Sequence, residues 1–313
     1  IFILLIINII EIQALPELTL TLQTNKTLYN FGETVTLNGT LTDDGTPIND
    51  ALVAIQIVDS ADETLIYRTL NTGTEPQTTW YVEITEVLPL GTDFKRGELV
   101  DIKVTVKNNA EEDKYVYLTL TLSYMLSNEM PFEALLYFEG YIPPGQITFI
   151  PSVEIPQDAP ICPVKVYANA YAILPKNVGY AYCPEKSATF YITNSESSTS
   201  QFSEYQLENL NGEYSLTFSL PDNFLRVGNY TIYVGTLYRD QVFTYCSFGV
   251  VLLGDINDDG IVDIFDAVML SRASGSQPGD LNWNPKCDLN DDGIVDIFDA
   301  VILAANAGKQ AKK

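Results

Sequence analysis

The chain has 313 residues, enough for two or three domains, and its formal net charge of −24 (41 acidic against 17 basic residues) would repel the phosphates of nucleic acid. Histidine is absent, which removes Ser–His and Cys–His nucleophile pairs and imidazole–metal chemistry. The acidic surplus points to a well-solvated surface.

The chain begins with Ile1, Phe2, Ile3, Leu4, Leu5, Ile6, Ile7, Asn8, Ile9 and Ile10. This run is too short to cross a membrane, which takes about twenty apolar residues. Two readings stand. One is the tail of a secretory signal peptide cut after Ala14. The other is a retained β-strand, favoured by its β-branched isoleucines. A strand apolar on both faces recruits another sheet edge, so it would fill a groove in its own sandwich or in the next copy of the chain. Head-to-tail repetition of the second arrangement would give a filament.

Over residues 17–250 the apolar residues alternate, as in 18–22, 54–58, 100–106 and 116–122, with Gly, Pro, Asn and Asp turns between them. Short alternating strands at this spacing predict antiparallel sandwiches. The 19 tyrosines, many on these strands, suit half-buried pleated surfaces. Asn25, Asn38 and Asn229 open Asn-x-Thr triplets and are glycosylation acceptors if the chain is exported.

Residues 25–56 resemble the first half of an Ig-like, macroglobulin-type sandwich. Its expected second half, a Gly-x-Tyr-Ser strand followed by a Gly-x-Tyr-Thr strand, stands far downstream at residues 212–221 and 228–235. This predicts a discontinuous first domain, 15–75 and 197–250, with a second sandwich inserted over 76–196. Residues 94–109 within it resemble adhesion-type β-sandwiches of microbial surface proteins. Insertion at an exposed loop tip is structurally cheap; a tandem of three sandwiches is the rival. The combination of modules resembles archaeal extracellular surface proteins.

Four cysteines allow two disulfides in three connectivities. Cys162 and Cys183 bracket one short region and are expected to pair, leaving Cys246 with Cys287. Disulfides would suit an oxidising exterior.

Residues 255–266 read Asp-Ile-Asn-Asp-Asp-Gly-Ile-Val-Asp-Ile-Phe-Asp, and the same pattern returns 33 positions later at 288–299 with Leu in place of the first Ile. Oxygen side chains at loop positions 1, 3, 5, 9 and 12 with Gly at 6 match the EF-hand calcium loop, in which the position 7 carbonyl completes the sphere. The expected ligands are Asp255, Asn257, Asp259, Ile261 O, Asp263 and Asp266, then Asp288, Asn290, Asp292, Ile294 O, Asp296 and Asp299. This predicts two Ca2+ sites. Residues 248–254 read as a strand, so only an exit helix is expected after each loop, over about 264–271 and 297–305.

Two loop–helix units at this spacing resemble a type I dockerin over residues 254–308, residues 251–313 forming the module. That resemblance implies docking onto a cohesin module, with partner choice set at loop positions 10 and 11, often small hydroxyl residues. Here those positions hold Ile264, Phe265, Ile297 and Phe298, which are expected to pack inward, leaving a structural or subunit-docking calcium module. The fold class expected is therefore mainly β: two Ig-like antiparallel sandwiches, the second inserted into the first, plus a small helical dockerin-like module. The leading functional reading is a non-enzymatic extracellular structural protein, the subunit of a cell-surface filament assembled with other copies of itself by strand donation and stiffened by calcium. The alternative is a monomeric adhesion or scaffold component that binds a cohesin-type partner or a surface polysaccharide. A glycosidase using paired carboxylates, Glu83 with Glu86 or Asp101, is a third reading that no motif singles out.

Overall fold

The computed structural model describes residues 17–73, 80–194, 211–223 and 225–312. The apolar run Ile1 to Ile10 and the Ser/Thr-rich crossing near residue 197 lie outside the described residues. Two β-sandwiches, the second inserted into the first, are followed by two helices at the C-terminal side. One sheet of the first sandwich joins Leu18–Leu20, Thr34–Asp43 and Glu213–Ser219, with Gln23–Thr24 and Thr46–Pro47 paired to the central strand. The other runs Leu28–Asn30, Gln241–Val251, Gly228–Leu237, Leu52–Val58, Thr64–Asn71. Strand Thr34–Asp43 alternates buried and half-exposed residues along most of its length, as a strand with one core face must. Its partner Glu213–Ser219 pairs with it in antiparallel register, Leu216 opposite Leu37, across the whole inserted segment.

The inserted sandwich packs a sheet of Val82–Pro89, Leu99–Asn108, Gly145–Phe149 and Ser152–Glu154 against one of Glu129–Ile142, Lys114–Met125, Pro163–Ile173, Lys186–Ile192 and Asp93–Phe94, with Tyr180–Ala181 at its side. Its core is Val- and Leu-rich and separate from that of the first sandwich. A third cluster, Leu52, Ala54, Tyr67, Tyr171, Leu174 and Ala181, lies between the two.

This joint seals an edge. Thr64–Asn71 ends its sheet, and the inserted sandwich covers its backbone with side chains. Tyr67 N–H donates to Thr121 Oγ1 (2.8 Å), whose hydroxyl donates back to Tyr67 O (2.9 Å), and Tyr171 OH donates to Arg68 O (3.0 Å). Arg68 lies over the Tyr167 ring at 3.6 Å and grips Glu185 through Nε (3.0 Å) and Glu129 through an NH group (2.9 Å). An edge closed in this way cannot recruit another strand.

The expected disulfides are not formed; all four cysteines are free thiols. Tyr182 N–H bonds to Ala170 O (2.9 Å), which places Cys183 near the far end of strand Pro163–Ile173. Cys162 precedes that strand, eight residues and about 26 Å of extended chain from Ala170. A disulfide needs Cα atoms within about 7 Å. Cys246 faces Tyr214 in the first core, whereas Cys287 lies inside the helical module near Asn284 and Asp299. Among the described residues no helix is long and apolar enough to cross a membrane.

Candidate metal centre

The two acidic loops fold alike, and the reason is visible residue by residue. At position 1, Asp255 accepts from Asp259 N–H (3.1 Å) and Gly260 N–H (2.9 Å); Asp288 does the same with Asp292 (3.1 Å) and Gly293 (2.9 Å). Asp258 and Asp291 turn into the left-handed region at φ 60° and 58°, and Gly260 and Gly293 follow at 87° and 84°. A side chain at position 6 would be strained there, which is why both copies carry Gly. At position 5, Asp259 and Asp292 each accept from the N–H two residues on, at 3.0 and 2.9 Å.

Position 9 starts a helix. Asp263 accepts from Phe265 N–H (2.7 Å) and caps α1 (Ile264–Ala273); Asp296 accepts from Phe298 N–H (2.8 Å) and caps α2 (Ile297–Asn306). Position 12 closes a capping box and ties the loop together. Asp266 is fully buried and accepts from Ile256 (2.7 Å), Asn257 (3.2 Å) and Asp263 (2.8 Å) N–H groups. Asp299 is buried in the same way on Leu289 (2.7 Å), Asn290 (3.3 Å) and Asp296 (2.7 Å).

Every expected ligand therefore lies on its loop. Among the described residues no three acidic side chains close on one point, because the carboxylates are turned onto the loop's own N–H groups. The donor set still fits a hard cation: it is all oxygen, and a carboxylate with about four lone-pair sites keeps capacity beyond the three N–H groups on Asp266. Burial pushes the Asp255 carboxyl above the ordinary Asp value, Asp266 and Asp259 add repulsion, and the Gly260 and Asp259 N–H groups oppose the shift. A bound cation would relieve that crowding of negative charge.

The two units are related by an internal pseudo-two-fold exchange. Val295 N–H donates to Ser276 O (3.0 Å) and Gly275 N–H to Val295 O (2.7 Å), so the segment after α1 pairs with the second loop. Val262 N–H donates to Lys309 O (3.0 Å) and Gly308 N–H to Val262 O (2.9 Å), so the segment after α2 pairs with the first. Val262, Val295, Leu270, Leu303, Ala273 and Cys287 fill the interior and join the first sandwich's core through Leu252 and Ile256.

The expectation that Ile264, Phe265, Ile297 and Phe298 pack inward is overturned. They are 68%, 64%, 67% and 63% exposed, and Val268 and Val301 beside them are 41% and 60% exposed. Capping at Asp263 sets the phase of α1: Asp266, Leu270 and Ala273 face inward, which turns 264, 265 and 268 to solvent. The spacing of 266, 270 and 273 held that phase, and reading Ile and Phe as core residues by type alone missed it. Asn25 and Asn229 are exposed, and Asn38 is half-buried in mid-strand with its Oδ1 taken by Gln23 Nε2 (2.9 Å).

Residues 253–306 match the dockerin type I domain family, which supports calcium as the ion of these loops. No curated protein matches the chain. Among solved structures, the chain is similar to a Pseudomonas fluorescens alkylpurine DNA glycosylase at 12% identity and TM-score 0.30, over 36% of this chain and 30% of that one. It is also similar to Escherichia coli alpha-2-macroglobulin in its native conformation (10% identity, TM-score 0.25, 74% of this chain and 19% of that one). A third is a sporulation control protein of Bacillus subtilis (14% identity, TM-score 0.24, 54% of this chain and 90% of that one). The chain thus spans 30% and 19% of the first two proteins' lengths.

Proposed function

We propose that the chain is a non-enzymatic extracellular adhesion or scaffold component whose C-terminal module binds two calcium ions and docks on a cohesin-type partner. The observation that carries this reading is the outward repeat of Ile264, Phe265 and Val268 by Ile297, Phe298 and Val301 on a dockerin-type module. Exposed apolar faces of this kind mark interaction sites. The first ion would be held by Asp255, Asn257, Asp259, Ile261 O, Asp263 and Asp266, and the second by Asp288, Asn290, Asp292, Ile294 O, Asp296 and Asp299. Calcium supplies the charge that lets these carboxylates lie together. The chain's own residues do the rest: Asp266 and Asp299 fix the first turns of α1 and α2, and that phase presents the six apolar side chains.

The partner surface is apolar at its centre, because Ile and Phe stand where a hydroxyl-reading partner would look for Ser or Thr. The filament reading depends on residues 1–10, outside the described residues, and the described residues favour docking over it. The test is binding of the intact chain to immobilised cohesin modules bearing an apolar docking face, with calcium and with EGTA. Calcium-dependent binding that falls at least about a hundredfold in the Phe265→Asp, Phe298→Asp double variant supports the proposal, since buried aromatic anchors are worth about 2–4 kcal/mol each. Binding that survives EGTA or the double substitution contradicts it.

A further inference from the structure

The two calcium loops are alike in themselves and unlike in what they touch. Beyond the Val262–Lys309 pairing, Ala311 N–H donates to Gly260 O (2.8 Å), and Ile261 bridges Gln310. The same short segment then reaches the first sandwich. Gln310 N–H donates to Asn223 Oδ1 (3.0 Å), Lys312 N–H donates to Leu225 O (2.8 Å), and the Lys312 ammonium pairs with Glu63. Lys309 approaches Asp222 at 3.8 Å. Residues 309–312 are therefore a strap with one side on loop positions 6 to 8 and the other on the sandwich.

Among the described residues the second loop has no such strap, for a reason written in the sequence. Thirty-three positions before Ala311 and Lys312 stand Pro278 and Gly279. Proline has no N–H to give to Gly293 O, and Gln277 N–H is turned back onto Asp280 (2.8 Å). A methyl group added at Gly260 would meet Ala311 at 3.7 Å, whereas one at Gly293 would meet nothing within 4 Å.

We propose that the first loop alone couples calcium to the joint between module and sandwich: an ion there fixes Gly260, Ile261 and Val262, and through them the strap, while an ion in the second loop organises only the module. This rests on the reading of both loops as calcium sites. Coupling is reciprocal, so weakening the strap at the sandwich lowers calcium affinity in the first loop and spares the second.

The test is hydrogen exchange on the intact chain, comparing wild type with Asp259→Ala and Asp292→Ala, beside calorimetric counting of bound calcium. The coupling predicts that calcium slows exchange at residues 309–312 in wild type and Asp292→Ala but not in Asp259→Ala. Asn223→Ala, which removes a strap contact without altering a ligand residue, should weaken one of two calcium sites by roughly tenfold, within the usual range of coupled sites. Two ions taken up by the wild type together with equal protection of 309–312 in both loop variants, or an Asn223→Ala chain with both affinities unchanged, overturns the coupling alone. A wild-type chain that takes up no calcium overturns it together with the reading on which it rests.

Discussion

Asp266 and Asp299 each accept three backbone N–H groups while fully buried. Asp266→Ala would strand those donors, at about 1–3 kcal/mol for each buried group left unmade. Trp283 packs against the module's core and reports its unfolding, so urea titration followed by fluorescence in a Trp80→Phe background should show the loss. Calcium uptake should also weaken on acidification, since the ligands must be deprotonated. Asp255, raised by burial and by Asp266 and Asp259, protonates at a higher pH than an ordinary Asp. Among the thiols, burial pushes Cys183 up to about 12. Its folded value lies above the unfolded one, so its contribution to stability is complete below the ordinary thiol value and is lost as pH rises toward 12. Without reductant, the chain should show four titratable thiols in urea, with Cys183 slow to alkylate when folded.

The helices α1 and α2 keep an apolar face uncovered, whereas the edge strand Thr64–Asn71 is covered. The outward faces carry the same three residues, Ile264, Phe265 and Val268 on α1 and Ile297, Phe298 and Val301 on α2, in the same phase. The costs of Phe265→Asp and Phe298→Asp taken singly should therefore sum to less than the cost of the pair, a non-additive result that a docking titration reads directly. The edge strand Thr64–Asn71 is the covered one. Arg68 at its centre has a side chain only 10% exposed and holds Glu185 and Glu129. Arg68→Met would leave two carboxylates half-desolvated without a counter-charge, a loss of about 3–5 kcal/mol in denaturant unfolding.

At this scale the sequence was legible where periodicity is local. The alternation in Thr34–Asp43 and the loop pattern with Gly260 and Gly293 announce strand and loop without help from the rest of the chain. The cysteine pairing was not legible, because the distance from Cys162 to Cys183 depends on where Tyr182 meets strand Pro163–Ile173. Burial of Ile264 and Phe265 was misread because hydrophobic type says nothing of helix phase, which Asp263 sets. The strap at 309–312 was invisible for a different reason. Its partners Asn223 and Leu225 lie more than eighty residues away, and only the contrast of Ala311 with Pro278 hinted at it.

Across the whole molecule, one continuous core runs from the first sandwich through Leu252 and Ile256 into the helical module, while the inserted sandwich keeps its own. Eleven of the 41 acidic residues fall between Asp255 and Asp299, where two calcium ions would offset four negative charges. Stabilisation by calcium should therefore be largest in the module and its neighbouring sandwich, about 2.7 kcal/mol at a hundredfold excess over Kd. The inserted sandwich should melt with little dependence on the ion. The most direct measurement is a calcium titration of the chelator-stripped intact chain by isothermal calorimetry. Two ions should bind per chain, falling to one in Asp259→Ala and in Asp292→Ala; a chain that binds none, or binds as before in both variants, would rule out the two loops as calcium sites.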